Sequence, residues 1–262
     1  MKTKILKDLE TTWAGRNCIC YDTLESTNDQ AKELAKEKPI HGTLVVAEQQ
    51  TKGKGRRGRR WNSEKGKSIS MSLCLEPKLS TDKVSGVTLI AALAVAEAIS
   101  EIEGANPLIK WPNDIVMNQK KICGILTEMH FMKDRYVVIV GIGVNVNQQE
   151  FPEDLRNIAS SLKCECGKEV SGEWLIGRIL KHFELFYEQF EKTGDLSLLK
   201  AQYECVLANK GKEVRVLDPA APFMGIAKGI TNEGNLVVVC EDGRTEEVCS
   251  GEVSVRGLYG YV

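Results

Sequence analysis

Residues 115–142 read IVMNQKKICGILTEMHFMKDRYVVIVGI, and this stretch decides the fold. Three runs, 115–117, 122–131 and 135–142, are rich in Ile, Val and other strand formers. Between them stand Asn118-Gln119-Lys120 and Lys133-Asp134. Connections this short allow only antiparallel neighbours. Upstream, residues 68–75 alternate. Ile69, Met71, Leu73 and Leu75 share one side; Ser68, Ser70, Ser72 and Cys74 share the other. That pattern predicts a strand with one core face and one face of small polar groups. Residues 43–48 predict another strand. Residues 82–103 predict a long helix, apolar nearly all round through Ile99 and therefore buried. Thr27-Asn28-Asp29-Gln30 reads as a capping box, opening a helix with Ala31, Leu34 and Ala35 on its apolar face through about Lys38. Residues 171–191 and 196–208 have helical period.

From Gly211 the pattern changes. Residues 213–217, 225–230, 236–240, 245–249 and 253–256 are short strand candidates. Asn232-Glu233-Gly234 and Asp242-Gly243 supply turn signals between them. Five short strands in so few residues predict a small β-barrel. The expected organisation is an α+β domain over 1–208 and the barrel over 209–262.

Charged residues make up 27% of the 262 and apolar ones 42%, the balance of a soluble globular chain. No stretch reaches the roughly 18 apolar residues of a membrane span. The longest apolar tract, 87–99, is broken by Thr88 and Glu97. The charged start lacks the apolar segment of a secretory signal, so a cytoplasmic location is expected. The nine cysteines are dispersed and odd in number, as free thiols in a reducing compartment would be. Cys18-x-Cys20 and Cys164-x-Cys166 have a one-residue spacer, unlike common zinc sites, and His41, His130 and His182 lie near neither.

A formal charge of −1 excludes a generally basic nucleic-acid coat. It hides residues 52–60, Lys-Gly-Lys-Gly-Arg-Arg-Gly-Arg-Arg, with six positive charges; without them the rest carries −7. A local cation on an acidic body implies an anionic ligand at one place. Residues 53–58 match G-x-G-x-x-G in form, but no helix follows, so the dinucleotide reading is rejected. The glycines can turn backbone N–H groups toward an anion, Arg adds forked donors, and Trp61 offers a face to a base. On the loop alone a phosphate-type ligand, a nucleic acid and a plain solvated surface all stay open.

Further clusters follow in order. They are Ser26-Thr27-Asn28, Gln50 ahead of Gly53–Trp61, Lys110-Trp111-Pro112-Asn113-Asp114, Lys121-Ile-Cys-Gly-Ile-Leu126 and Gly141-Ile-Gly-Val-Asn145-Val-Asn147. Each alone reads as an ordinary turn or strand end. Together, in this order and spacing, they resemble the biotin–protein ligases. The resemblance runs over about residues 20–262 and includes Ser250-Gly-Glu-Val-Ser254 near the end.

The resemblance implies a mixed β-sheet flanked by helices, like the catalytic domain of class II aminoacyl-tRNA synthetases, with a C-terminal SH3-like barrel. It implies that ATP and biotin form biotinyl-5′-adenylate. A lysine of a biotin carboxyl carrier protein, of acetyl-CoA carboxylase or a related biotin enzyme, then takes the biotin. By the match, Ser26, Thr27, Asn28 and Gln50 line the biotin head. Lys54, Gly55 and Arg56 belong to a loop closing over biotin and phosphate. Lys121 bridges the biotin carboxylate and the α-phosphate, and with Arg56 forms the catalytic pair. Arg59 reaches phosphate, Trp61 packs on adenine, and Asn145 faces it. Asp114 positions Mg²⁺ or ribose. Position 54 is Lys where the family loop commonly has Arg, which keeps the charge but loses the planar fork.

Only 25 residues precede Ser26, too few for the helix-turn-helix domain some family members carry. The expectation is the ligase-only class, with no DNA or membrane partner, as a monomer or homodimer. Two alternatives stand beside it. A lipoate or octanoate transfer enzyme would share the architecture, but the polar Ser26-Thr27-Asn28 and Gln50 set suits a ureido ring better than an alkyl chain. A nucleic-acid module built on 52–60 would call for more basic or aromatic stripes, and the acidic remainder argues against it.

Overall fold

The computed structural model describes residues 1–7, 9–217, 221–250 and 254–257. Twelve strands and six α-helices are defined among them. Strands β1 (Asn17–Leu24), β2 (Thr43–Gln50), β3 (Ser68–Leu75), β4 (Leu108–Lys110), β5 (Asp114–Met117), β6 (Lys120–Phe131) and β7 (Tyr136–Asn145) form one sheet in the order β1-β2-β3-β7-β6-β5-β4. β1 and β2 run parallel; the other neighbours are antiparallel. Strands β8 (Glu213–Leu217), β9 (Phe223–Ile230), β10 (Leu236–Val239), β11 (Thr245–Val248) and β12 (Ser254–Gly257) form a second, wholly antiparallel sheet in the order β11-β10-β9-β8-β12.

The antiparallel β5–β6–β7 set expected from residues 115–142 is present. At the first connection Asn118 and Gln119 both take positive φ, 47° and 65°. That left-handed pair suits a tight hairpin between right-twisted strands. The sequence reading misses β1, β4 and the short helices α1 (Lys2–Lys7) and α4 (Leu162–Cys166). The helix expected over 196–208 shrinks to α6 (Lys200–Cys205). The capping box also moves by one residue. Helix α2 (Thr27–Glu37) is capped by Ser26, whose side chain accepts from Asp29 N, so Thr27 is already helical. The end strand of the small sheet starts at Ser254; Gly251–Val253, part of the quoted C-terminal motif, lie outside the described residues.

Helices α3 (Val84–Ser100) and α5 (Gly172–Thr193) pack on one face of the large sheet. There Ile69, Met71, Leu73 and Leu75 join the main core, as their alternation requires. The stretch Thr81–Ser100 is long and apolar enough to cross a membrane, and it is this buried core helix. On the opposite face α2 lays Ala31 and Ala35 over Val45, Cys74, Val137 and Ile139. The polar side of β3 is thus also buried, with Ser70 and Ser72 inside. Trp111 joins the two sheets. Its N–H donates to Asn209 Oδ1 at 2.9 Å and its indole N–H to Gly234 O at 3.0 Å.

The turn into β1 is held by one carboxylate. Glu184 of α5 accepts from Thr12 N, Trp13 N and Ala14 N at 2.6–2.8 Å and from Thr12 Oγ1 at 2.9 Å. Burial works to raise its pKa, and these donors outweigh that and hold it below the ordinary carboxylate value. Glu184→Ala strands three backbone donors, an expected loss of about 2–4 kcal/mol in urea unfolding at neutral pH. A depressed carboxylate stabilises fully above its unfolded pKa and ceases to as pH falls through the folded value. The wild-type advantage over Glu184→Ala is therefore expected to persist at neutral pH and shrink below about pH 4.

Candidate active site

Helix α2 covers only part of its sheet face. Beyond its N-terminus the floor is Gly124, Gly141 and Gly143, and register places the buried Ser70 and Ser72 beside them. The glycines are there for space. A Cβ on Gly141 would lie 2.3 Å from Asn28 Oδ1, and one on Gly143 2.3 Å from Trp61 Cε2. Small residues in place of a packed core leave two adjoining cavities of about 50 and 190 Å³.

The smaller cavity gathers Ser26, Thr27, Asn28, Gln50 and Lys54, five of the residues expected to serve biotin. Gln50 Oε1 accepts from Thr27 N at 2.7 Å and from Thr27 Oγ1 at 3.0 Å. Asn28 has its amide engaged at both ends. Its Nδ2 donates to Glu128 at 2.6 Å and to Leu126 O at 3.3 Å, and its Oδ1 accepts from Ser72 at 2.6 Å. Asn28 therefore braces the wall it belongs to. Ser72 also lies 2.7 Å from Thr27 Oγ1, so from behind the wall it braces two residues that line the cavity; alternation puts it on the polar side of β3, and the sequence reading assigns it no role. Lys54 pairs with Asp29 at 2.5 Å, and that bond raises its ammonium above the ordinary value.

The basic loop is a closed hairpin. Trp61 N donates to Gly53 O at 2.9 Å and Gly55 N to Arg59 O at 2.8 Å, while Lys54 and Arg60 form a bridge. A Cβ on Gly53 would sit 2.4 Å from Trp61 O, so the close crossing requires glycine there. The expectation that loop glycines turn their N–H groups toward an anion needs correction at Gly55, whose N–H is used inside the hairpin. The positive charge comes from side chains. At the tip Arg56 donates to Asn113 Oδ1 at 2.8 Å and, through Nη2, to the carbonyl of Ser250. Burial lowers the Arg56 guanidinium from its ordinary value, and Asp114 opposes that.

Gly55, Arg56, Trp61, Asn113 and Lys121 line both cavities and mark their junction. Simple alternation would put Lys121 with Cys123 and Ile125 on the core side. A bulge prevents this: Ile115 faces Cys123 and Val116 faces Lys121, leaving Ile122 extra. Such an insertion re-aims a side chain. Lys121 then crosses Gly124, with Cε and Nζ 3.0 Å from where a Cβ would be, and pairs with Asp114 Oδ1 at 2.6 Å. Asn113 Nδ2 reaches the same oxygen at 3.2 Å. The Lys121 ammonium lies 6.0 Å from the Trp61 ring centre.

Arg59, Trp61, Asp114 and Asn145 line the larger cavity. Asn145 is buried and donates to Ser160 O at 3.0 Å. Lys110, only 6% exposed, and Gln148 also line it, and the sequence reading assigned neither a role. The signal for Lys110 was its place at the head of Lys110-Trp111-Pro112-Asn113-Asp114. Among the described residues Asp114 is the one carboxylate lining this cavity, and no cluster of three or more His, Cys, Asp or Glu could hold a metal. The nine cysteines are free thiols; burial raises Cys18 and Cys74 to about 12.

Residues 21–145 match the biotin/lipoate A/B protein ligase family, and residues 211–256 match the biotin protein ligase C-terminal domain. The chain is 40% identical over 245 residues to the bifunctional ligase/repressor BirA of Bacillus subtilis, covering 92% of this chain and 75% of that protein. It is 30% identical to the biotin–[acetyl-CoA-carboxylase] ligase of Mycobacterium tuberculosis, over 87% of this chain and 85% of that one. Among solved structures it resembles the Aquifex aeolicus biotin protein ligase in complex with biotin and ATP. The TM-score is 0.82 at 33% identity, over 92% of this chain and 99% of the other.

Proposed function

Because this chain belongs to the biotin protein ligase family, we propose that its smaller cavity takes the biotin head, its larger cavity takes ATP, and their junction is where the two react. The chain is an ATP-dependent ligase that activates biotin and transfers it to a carrier protein. The observation that carries the assignment of parts is the sharing of Arg56 and Lys121 by both cavities.

In the first step a biotin carboxylate oxygen bonds to the α-phosphorus, the bond from that phosphorus to the bridging oxygen breaks, and pyrophosphate leaves. Anion approaches anion, so cations at the meeting point lower the barrier. Lys121 stands there, held by Asp114 until phosphate and carboxylate oxygens replace that partner. Arg56 adds forked donors and keeps the hairpin closed over the junction. Trp61 rests one indole face on the glycine floor, and its other face packs on adenine. Asn145 faces the adenine and Arg59 reaches phosphate from the rim. Thr27 and Gln50, with Ser26 beside them, meet the ureido ring. In the second step the carrier's lysine amine attacks the acyl carbon, the acyl–oxygen bond breaks, and AMP leaves as the amine loses its proton.

Mg²⁺ fits as a companion of ATP. Magnesium usually keeps water and phosphate ligands and takes one or two carboxylates, and Asp114 is the one that would reach it. When bound it would neutralise phosphate charge. The carrier is proposed to be the biotin carboxyl carrier protein of acetyl-CoA carboxylase or a related enzyme, met in the cytoplasm. Both cavities are lined by one chain, so a monomer suffices and a homodimer would carry two complete sites.

The test is transfer itself. With biotin, ATP and Mg²⁺, mass spectrometry of a purified carrier domain is expected to find one biotinyl group on its target lysine. Labelling spread over many carrier lysines, or none, would contradict this reading.

A further inference from the structure

Trp61 Nε1 and Ser70 Oγ are buried polar atoms on the α2 face of the large sheet with no hydrogen-bond partner among the described residues. Register makes them neighbours. Ser70 stands opposite Gly143 across β3 and β7, and a Cβ on Gly143 would lie 2.6 Å from Trp61 Nε1. Directly opposed Cβ positions on antiparallel strands are about 4.5–5.5 Å apart. The direction of the ring narrows the gap further. Trp61 approaches Gly124 of β6 with Cζ3, at 3.4 Å from that Cβ position, while Cε2 and Nε1 lie over Gly143 of β7. The five-membered ring therefore points across β7 toward β3, where Ser70 is the next side chain.

The other serines of that strand face are engaged. Ser72 bonds to Asn28 and Thr27, and Ser68 bonds to Glu64 N and Gln148. The indole N–H groups of Trp13 and Trp111 also have partners, Glu188 and the Gly234 carbonyl. Ser70, at 1% exposure, and Trp61 thus offer an unused acceptor and an unused donor on either side of Gly143.

We infer that Ser70 is a positioning residue for the nucleotide platform: its hydroxyl turns to accept the Trp61 indole N–H when ligand occupies the site. The inference rests on the proposed role of Trp61 beneath adenine. One rotation about the Ser70 Cα–Cβ bond carries Oγ between staggered positions and onto the indole edge. Buried polar groups of this kind are nearly always paired. The bond fixes the angle of the indole on its glycine floor before adenine stacks on it. Retention of the adenylate then depends on a side chain that touches neither biotin nor ATP.

The test reads the indole N–H directly. The chain has four tryptophans, so ¹H–¹⁵N spectra show four indole resonances, and Trp61→Phe identifies one of them. In enzyme holding biotinyl-5′-adenylate, Ser70→Ala is expected to speed solvent exchange of the Trp61 indole proton about tenfold, the worth of one hydrogen bond. The other three resonances stay as controls of the fold, and Ser70→Thr, which keeps the hydroxyl, restores slow exchange. Adenylate release rises about three- to tenfold in Ser70→Ala, and Ser70→Ala adds nothing further in the Trp61→Phe background. Unchanged Trp61 exchange in Ser70→Ala, or additive effects of the two substitutions on release, overturns the inference. Faster exchange with unaltered release supports the hydrogen bond and instead removes Trp61 from the nucleotide site, so the two failures are told apart.

Discussion

Lys121→Ala is expected to slow formation of biotinyl-5′-adenylate by about 10²–10³ while the protein stays folded. The ammonium sits at the junction of the two cavities and crosses the Gly124 floor. Its contribution is greatest when carboxylate and phosphate are pushed together, so the loss falls on rate more than on biotin affinity. Removing it leaves Asp114 with Asn113 Nδ2 as a donor, which limits the structural cost. Single-turnover adenylation measures the effect. A folded mutant adenylating at near-normal rate would show Lys121 to be a plain partner of Asp114.

Arg56→Gly is expected to separate retention from chemistry. The native side chain ties the hairpin tip to Asn113, just before β5 of the large sheet, and to the Ser250 carbonyl beside the small sheet. Glycine removes both bonds and adds backbone freedom next to Arg57, which already holds φ at 59°. Lys121 and the biotin wall remain, so adenylate still forms. Two charge-assisted bonds are lost, and release of the adenylate is expected to rise about 10- to 100-fold. Freed adenylate acylates whatever lysine it meets, so an unrelated lysine-rich protein in the same tube becomes biotinylated. Unchanged release without stray labelling means that Arg56 does not hold the hairpin. Loss of adenylate formation altogether means that it acts in the chemical step with Lys121.

Much of the fold could be read locally, and what was missed has physical causes. β3 shows in its alternation of apolar and small polar residues, and the β5–β6–β7 set in its Ile- and Val-rich runs and short turns, although β3, β5 and β7 are buried along nearly their whole length. β1 is an edge strand with mixed exposure, so Asn17–Leu24 shows no clean alternation. β4 has three residues and no period to detect. The site residues were legible as types in order, but their aims were not. Alternation places Lys121 on the wrong face, and only the bulge at Ile122, set by pairing with β5, turns it into the site. Arg56 meets Ser250 across 194 positions of sequence, a contact no local pattern encodes. Asn28 looks like a free ligand in Ser26-Thr27-Asn28, and only folding shows its amide engaged by Ser72, Leu126 and Glu128.

The central claim is that a biotin carboxylate and an ATP α-phosphate meet at Lys121, beneath the hairpin that Arg56 holds in place. Exchange of radiolabelled pyrophosphate into ATP tests it most directly, because exchange requires the adenylate to form and revert on the enzyme. Exchange is expected to need biotin, ATP and Mg²⁺ together, to fail with lipoate in place of biotin, and to fall with Lys121→Ala. Exchange supported equally by lipoate, or absent with biotin, would contradict it.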